Sequence, residues 1–125
     1  MAFRYFNNNP QRKKVGDCVV RAISTVTNQT WHKTHRDLCA LSDEMCDMPS
    51  SNQVWRTYLE SKGFERHKIP NLCPDCYSVI DFCRENPYGK YLVSLGTHVV
   101  AIVDGDYLDI WDSGDGTVEA YWRKA

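Results

Sequence analysis

The chain has 125 residues, 42% of them hydrophobic and 25% charged, a length and composition that fit one globular domain over residues 1–125 and exclude fibrous and disordered classes. Its 15 Lys and Arg are offset by 16 Asp and Glu, a formal charge of -1, so there is no global electrostatic footprint for nucleic acid or an acidic lipid surface. Neither is expected as a partner. The longest uninterrupted apolar run, Val99 to Val103, is five residues, far short of the ~20 that a membrane helix needs. The opening Met-Ala-Phe-Arg-Tyr-Phe gives way to Asn7, Asn8 and Asn9 and does not read as a signal peptide, so a cytoplasmic location is expected. Six cysteines are too few for a disulfide scaffold and are expected to be thiols.

From Asp17 to about Asn86 the apolar residues recur at helical spacing, and after Gly89 they alternate or run together as in strands. Asp17 reads as an N-cap for a helix from Cys18 to about Thr27, with Val19, Ala22, Ile23 and Val26 on one face. Trp31, Leu38, Leu41 and Met45 fit a second amphipathic helix. Ser50 with Gln53 reads as a capping box for a third, carrying Val54, Trp55, Tyr58 and Leu59 and ending at Gly63. A short fourth helix is expected from Pro74 to about Arg84. Four strands follow, at Tyr91–Leu95, His98–Val103, Tyr107–Trp111 and Thr117–Trp122, joined by Gly-rich turns. They predict an antiparallel meander packed against helices, an α+β architecture.

A cysteine at a helix N-terminus differs from one in a core, because unpaired N–H groups and the positive end of the dipole favour the thiolate. Cys18 is therefore a candidate nucleophile. His98 opens a strand and Asp112 ends the next; an imidazole is the base that a thiol needs, and a carboxylate on its other nitrogen fixes tautomer and orientation. For His98 and Asp112 to share a face, their hairpin must turn through an odd-numbered loop around Gly105 or carry a bulge. The Asp104-Gly105 pair by itself favours a two-residue turn, in which His98 faces Trp111 instead; the catalytic pairing is given precedence, and the odd loop or bulge is expected.

Chain order Cys, His, Asp, with Gly16-Asp17-Cys18-Val-Val-Arg-Ala-Ile as nucleophile helix and Thr97-His98 through Asp112-Ser-Gly as histidine strand and acid, resembles the papain-like cysteine peptidases. The Asp-Cys start also looks like the peptidase domains of bacteriocin-exporting transporters. The whole chain looks like small uncharacterised proteins of phages and mobile elements of Gram-positive bacteria. The resemblance implies a papain-like fold and a thiol hydrolase with Cys18, His98 and Asp112 as triad, acting on a peptide or protein without a cofactor. Papain relatives place an oxyanion-hole Gln six residues before the nucleophile; here Gln11 lies seven before Cys18, with Asn9 nearby. The alternative expectation is a binding or host-interference module on the same scaffold, its site vestigial or used for acyl transfer and its partner a host protein.

Cys73-Pro-Asp-Cys76, with Cys83 two helical turns on, has the spacing of a zinc knuckle but lacks a credible fourth ligand, so packing thiols and no metal are expected. His32 and His35 read as an exposed polar face, and Arg12-Lys13-Lys14 as a solvated basic run. Trp55, Trp111 and Trp122 suit core or groove-wall positions alike.

Overall fold

A computed structural model describes residues 2–70 and 76–125. A short strand, β1 (Phe3–Tyr5), precedes α1 (Cys18–Thr27), whose apolar stripe buries Val19, Val20, Ala22, Ile23 and Val26. Asn28, left-handed at φ 55, ends that helix by donating its N–H to carbonyls of the last turn. α2 (Trp31–Met45) is capped by the Thr30 side chain, which accepts from Lys33 N. α3 (Asn52–Ser61) starts one residue later than its sequence signal implies: Ser51 is the N-cap and makes no side-chain capping bond. A reciprocal capping box does form, at Ser78 and Asp81, where it opens α4 (Val79–Glu85). The expected start of that helix at Pro74 lies outside the described residues. No helix among the described residues is long and apolar enough to cross a membrane.

The other strands are β2 (Phe64–Lys68), β3 (Lys90–Ser94), β4 (Val99–Val103), β5 (Asp106–Asp109) and β6 (Ala120–Lys124). They form one mixed sheet in the order β1-β5-β4-β3-β6-β2, so the architecture is α+β, but the simple meander is corrected. β3, β4 and β5 do follow one another antiparallel, whereas β6 returns to pair with β3, and β1 lies parallel to β5. The flank of β5 that a fourth meander strand would have used is taken by β1. β6 instead places Trp122, fully buried, against Trp55 of α3 at 5.9 Å between ring centroids. β1 is three residues long, and β2 reads Phe-Glu-Arg-His-Lys with only Phe64 buried. Charged, one-sided edge strands of this kind protect a sheet from further pairing and carry almost no alternation signal.

Helices cover both faces. Leu92, Val99, Ala101 and Trp122 join α1 and α3 in one apolar cluster, while Val93, Val100, Ile102 and Tyr107 join Val79, Phe82 and Cys83 of α4 in another. Burial on both faces is why β3 and β4 read as continuous apolar runs.

The β4–β5 hairpin decides which side chains can meet. Asp104 (φ 49) and Gly105 (φ 80) both lie in the left-handed region, and the ladder runs Val103↔Asp106, Ile102↔Tyr107, Ala101↔Leu108 without a bulge. This is the two-residue turn that Asp-Gly favours, so the odd loop expected around Gly105 is corrected: local turn chemistry set the register. His98 packs against Trp111, ring centroids 4.9 Å apart. Replacing Gly105 by Val puts a β-branched residue at φ 80 and is expected to cost about 1–2 kcal/mol. A lowered urea midpoint with unchanged slope is the readout.

Candidate active site

Cys18 is the first residue of α1 and half-buried. Asp17 stands at the N-cap, but its carboxylate makes no capping bond. It accepts instead from Arg21 Nε at 2.8 Å, Trp31 Nε1 at 3.0 Å and Asn9 Nδ2 at 3.4 Å. The first-turn N–H groups of α1 are thereby left uncontested by that carboxylate, which favours negative charge on the neighbouring sulfur.

His98 lies between the β3–β4 turn and β4, hydrogen-bonded to the Cys18 thiol. Its Nε2 is 2.6 Å from Asp109 Oδ2. An ionised carboxylate can only accept, so Nε2 carries the proton and Nδ1 is left for the sulfur. Asp109 is 1% exposed and its oxygens are fully engaged: Ser113 Oγ donates to Oδ2 at 2.8 Å, and Ile110 N and Arg21 Nη1 donate to Oδ1 at 2.8 and 3.2 Å. Burial pushes the Asp109 carboxyl up, but the hydrogen bonds from His98 and Ser113 and the imidazolium charge outweigh it and hold it below the usual range. Burial likewise works against a charged His98, yet Asp109 and Cys18 together carry it from 6.5 to about 9. For Cys18 burial again opposes charge. The hydrogen bonds from His98 and Val99 N and the charges of His98 and Arg21 prevail, and the thiol sits below its ordinary value. All three shifts favour a thiolate–imidazolium pair backed by a carboxylate.

The acid that meets His98 is thus Asp109, and the assignment of Asp112 is corrected. Asp112 is exposed and accepts from Tyr107 Oη at 2.6 Å and Gly114 N at 3.0 Å. The paired ladder stops at Ala101↔Leu108, and Asp109, the last residue of β5, turns its carboxylate to His98 and to Arg21 of α1. One signal in the sequence points to Asp109: a lone carboxylate in the otherwise apolar Tyr107-Leu-Asp-Ile-Trp111 must be buried with a partner.

Arg21 is a further residue of the site. It is 6% exposed in the middle of α1 and bridges Asp17 and Asp109; its sequence signal is equally a single charge on an apolar helix face, Val-Val-Arg-Ala-Ile.

A cavity of about 480 Å³ opens over Cys18 and His98, walled by Ser50, Asn52, Trp55 and Thr97 among others. Neither oxyanion candidate lines it. Gln11 is exposed and Asn9 is buried with its Oδ1 accepting from Gln11 N at 2.9 Å; both border a different hollow, with Lys13, Trp31 and His32. The side-chain amide that does line the cavity belongs to Asn52, whose Oδ1 accepts from Trp55 Nε1 at 2.9 Å.

Of the zinc-spaced cysteines, Cys73 lies outside the described residues, Cys76 is exposed, and Cys83 is fully buried, its thiol pushed by burial to about 11. No group of three or more His, Cys, Asp and Glu among the described residues is placed to hold a metal. His35 stacks on Trp31 at 4.8 Å with its Nε2 3.6 Å from Cys39 Sγ. Comparison of the chain with protein-family models, with curated proteins and with solved structures gives no match.

Arg21→Met removes the cation between two buried carboxylates and is expected to cost about 3–5 kcal/mol. It also removes one of the charges that lower the Cys18 pKa. The pH profile of Cys18 alkylation should therefore move to higher pH, and less so in Arg21→Lys. Urea unfolding and labelling rates across pH read the two effects separately.

Proposed function

We propose that this protein is a small thiol hydrolase of papain-like layout that cleaves a peptide, isopeptide or related amide. The observation that carries the reading is the hydrogen-bonded series Cys18, His98, Asp109, at the foot of an open cavity. In this reading the Cys18 thiolate attacks the carbonyl carbon and forms the S–C bond. His98 gives its Nδ1 proton to the leaving nitrogen as the C–N bond breaks, leaving a thioester on Cys18. His98, now neutral, takes a proton from water as its oxygen attacks the thioester; the acid departs and the thiolate–imidazolium pair is restored. Asp109 keeps the imidazole in one tautomer and stabilises its charge. Asn52, its carbonyl oxygen turned to Trp55, presents its NH₂ as an oxyanion donor beside the Cys18 backbone N–H, in place of Gln11 or Asn9.

Iodoacetamide should label Cys18 first among the six cysteines, and His98→Ala should slow that reaction at neutral pH; mass spectrometry that finds Cys18 protected, or indifferent to His98, refutes the reading. Asp109→Asn should depress the Cys18 rate strongly and Asp112→Asn should not. Hydrolysis requires thiolate and imidazolium together, so it should rise through a Cys18 pKa below 9.0 and fall as His98 loses its proton near pH 9, the two limbs belonging to the coupled pair. Asn52→Ala is expected to lower kcat by ~10²–10³, with Cys18 alkylation retained.

A further inference from the structure

A second cavity, of about 290 Å³, adjoins the one over Cys18. Gly16, Val19 and Ser50 line both. A volume at the bottom of the ~300–1,000 Å³ range of whole-ligand sites suits one part of a larger substrate. Its apolar walls come from Val15, Val19, Val20, Trp31 and Pro49. Its two titratable neighbours are already engaged. The Asp17 carboxylate accepts from Arg21, Trp31 and Asn9, and His35 lies flat on Trp31 with its Nε2 against Cys39. A charged side chain entering here would find no free counter-charge, and burying it unpaired would be costly. An aliphatic one would gain by burial.

Gly16 is one of the three residues shared by the two cavities. A Cβ built on Gly16 meets nothing within 4 Å, so the space above it is open, and Gly16 is not among the residues with positive φ. In the proposed reaction His98 protonates the leaving nitrogen, so the leaving group occupies the His98 side of Cys18. The acyl part then extends the other way, over Gly16. We infer that this cavity is the specificity subsite for an aliphatic, leucine-sized side chain on the acyl side of the cleaved amide, reached across Gly16; the inference rests on the hydrolase reading above.

The test uses N-acetyl chloromethyl ketones of leucine, aspartate and lysine, each alkylating Cys18 with loss of chloride, with every rate divided by the iodoacetamide rate of the same protein. The leucyl reagent should be faster than the other two by at least about tenfold, the scale on which apolar pockets discriminate. In Gly16→Val, which fills that open space without a strained backbone, that preference should shrink to about threefold or less. Gly16→Ala, the smaller intrusion, should fall between. Equal normalised rates for the three reagents, or a leucyl preference that survives Gly16→Val in a folded protein, overturns the subsite and leaves the hydrolase reading intact. Iodoacetamide labelling of Cys18 that ignores His98 overturns the hydrolase reading, and this inference with it.

Discussion

One buried guanidinium holds the site together. Arg21 reaches Asp17 with Nε and Asp109 with Nη1, and so joins the N-cap of the helix bearing Cys18 to the strand bearing the acid behind His98. Two carboxylates this deeply buried would be intolerable with no cation between them. With Arg21 in place, each keeps an oxygen for other work: Asp17 Oδ2 accepts from Trp31 and Asn9, Asp109 Oδ2 from His98 and Ser113. The same cation acts on the chemistry in a second way. A carboxylate partnered only by imidazole would hold that proton more tightly; sharing Asp109 with Arg21 tempers the pull on His98, while the positive charge near Cys18 helps the thiolate directly.

The helical half was legible because its burial is one-sided. α1 and α3 turn an apolar stripe to the sheet, and that stripe is what periodicity detects. β3 and β4 were legible for the opposite reason, since burial on both faces leaves uninterrupted apolar runs. β1 and β2 were not, because an edge strand borrows its hydrogen bonds from a neighbour and needs little apolar surface of its own. Nor was strand order: the choice of β6 to lie beside β3 depends on Trp122 meeting Trp55 across the sheet, a contact between residues far apart in sequence.

For the site, Cys18 and His98 could be read from position alone, one at a helix start and one beside a strand. The acid could not be read by analogy of chain order. Where the Asp-Gly turn and the pairing of His98 with Asp112 were incompatible, the turn prevailed, because its two left-handed residues fix the hairpin register locally. The chemistry survives that register because Asp109, the last residue of β5, turns its carboxylate to His98 and to Arg21 of α1. Arg21 and Asp109 obey one rule. A single charge inside an apolar segment is a stronger pointer than a charge at the segment's end, because the end can be solvated and the interior cannot.

The same reasoning separates the cysteines. Cys83 and Cys18 both lose solvent on folding, and burial pushes both thiols toward the neutral form. Cys83, in the α4 cluster among Val79, Phe82 and Tyr107, has nothing nearby to oppose that push strongly, and its pKa climbs to about 11. Cys18 meets a helix N-terminus, the Val99 N–H, an imidazole held protonated by Asp109 and the charge of Arg21, and its pKa falls. Burial alone therefore makes a cysteine inert, and partial burial against arranged positive charge makes it nucleophilic. The difference between the two thiols lies less in the cysteines themselves than in Arg21 and Asp109, which bring the cations to one of them.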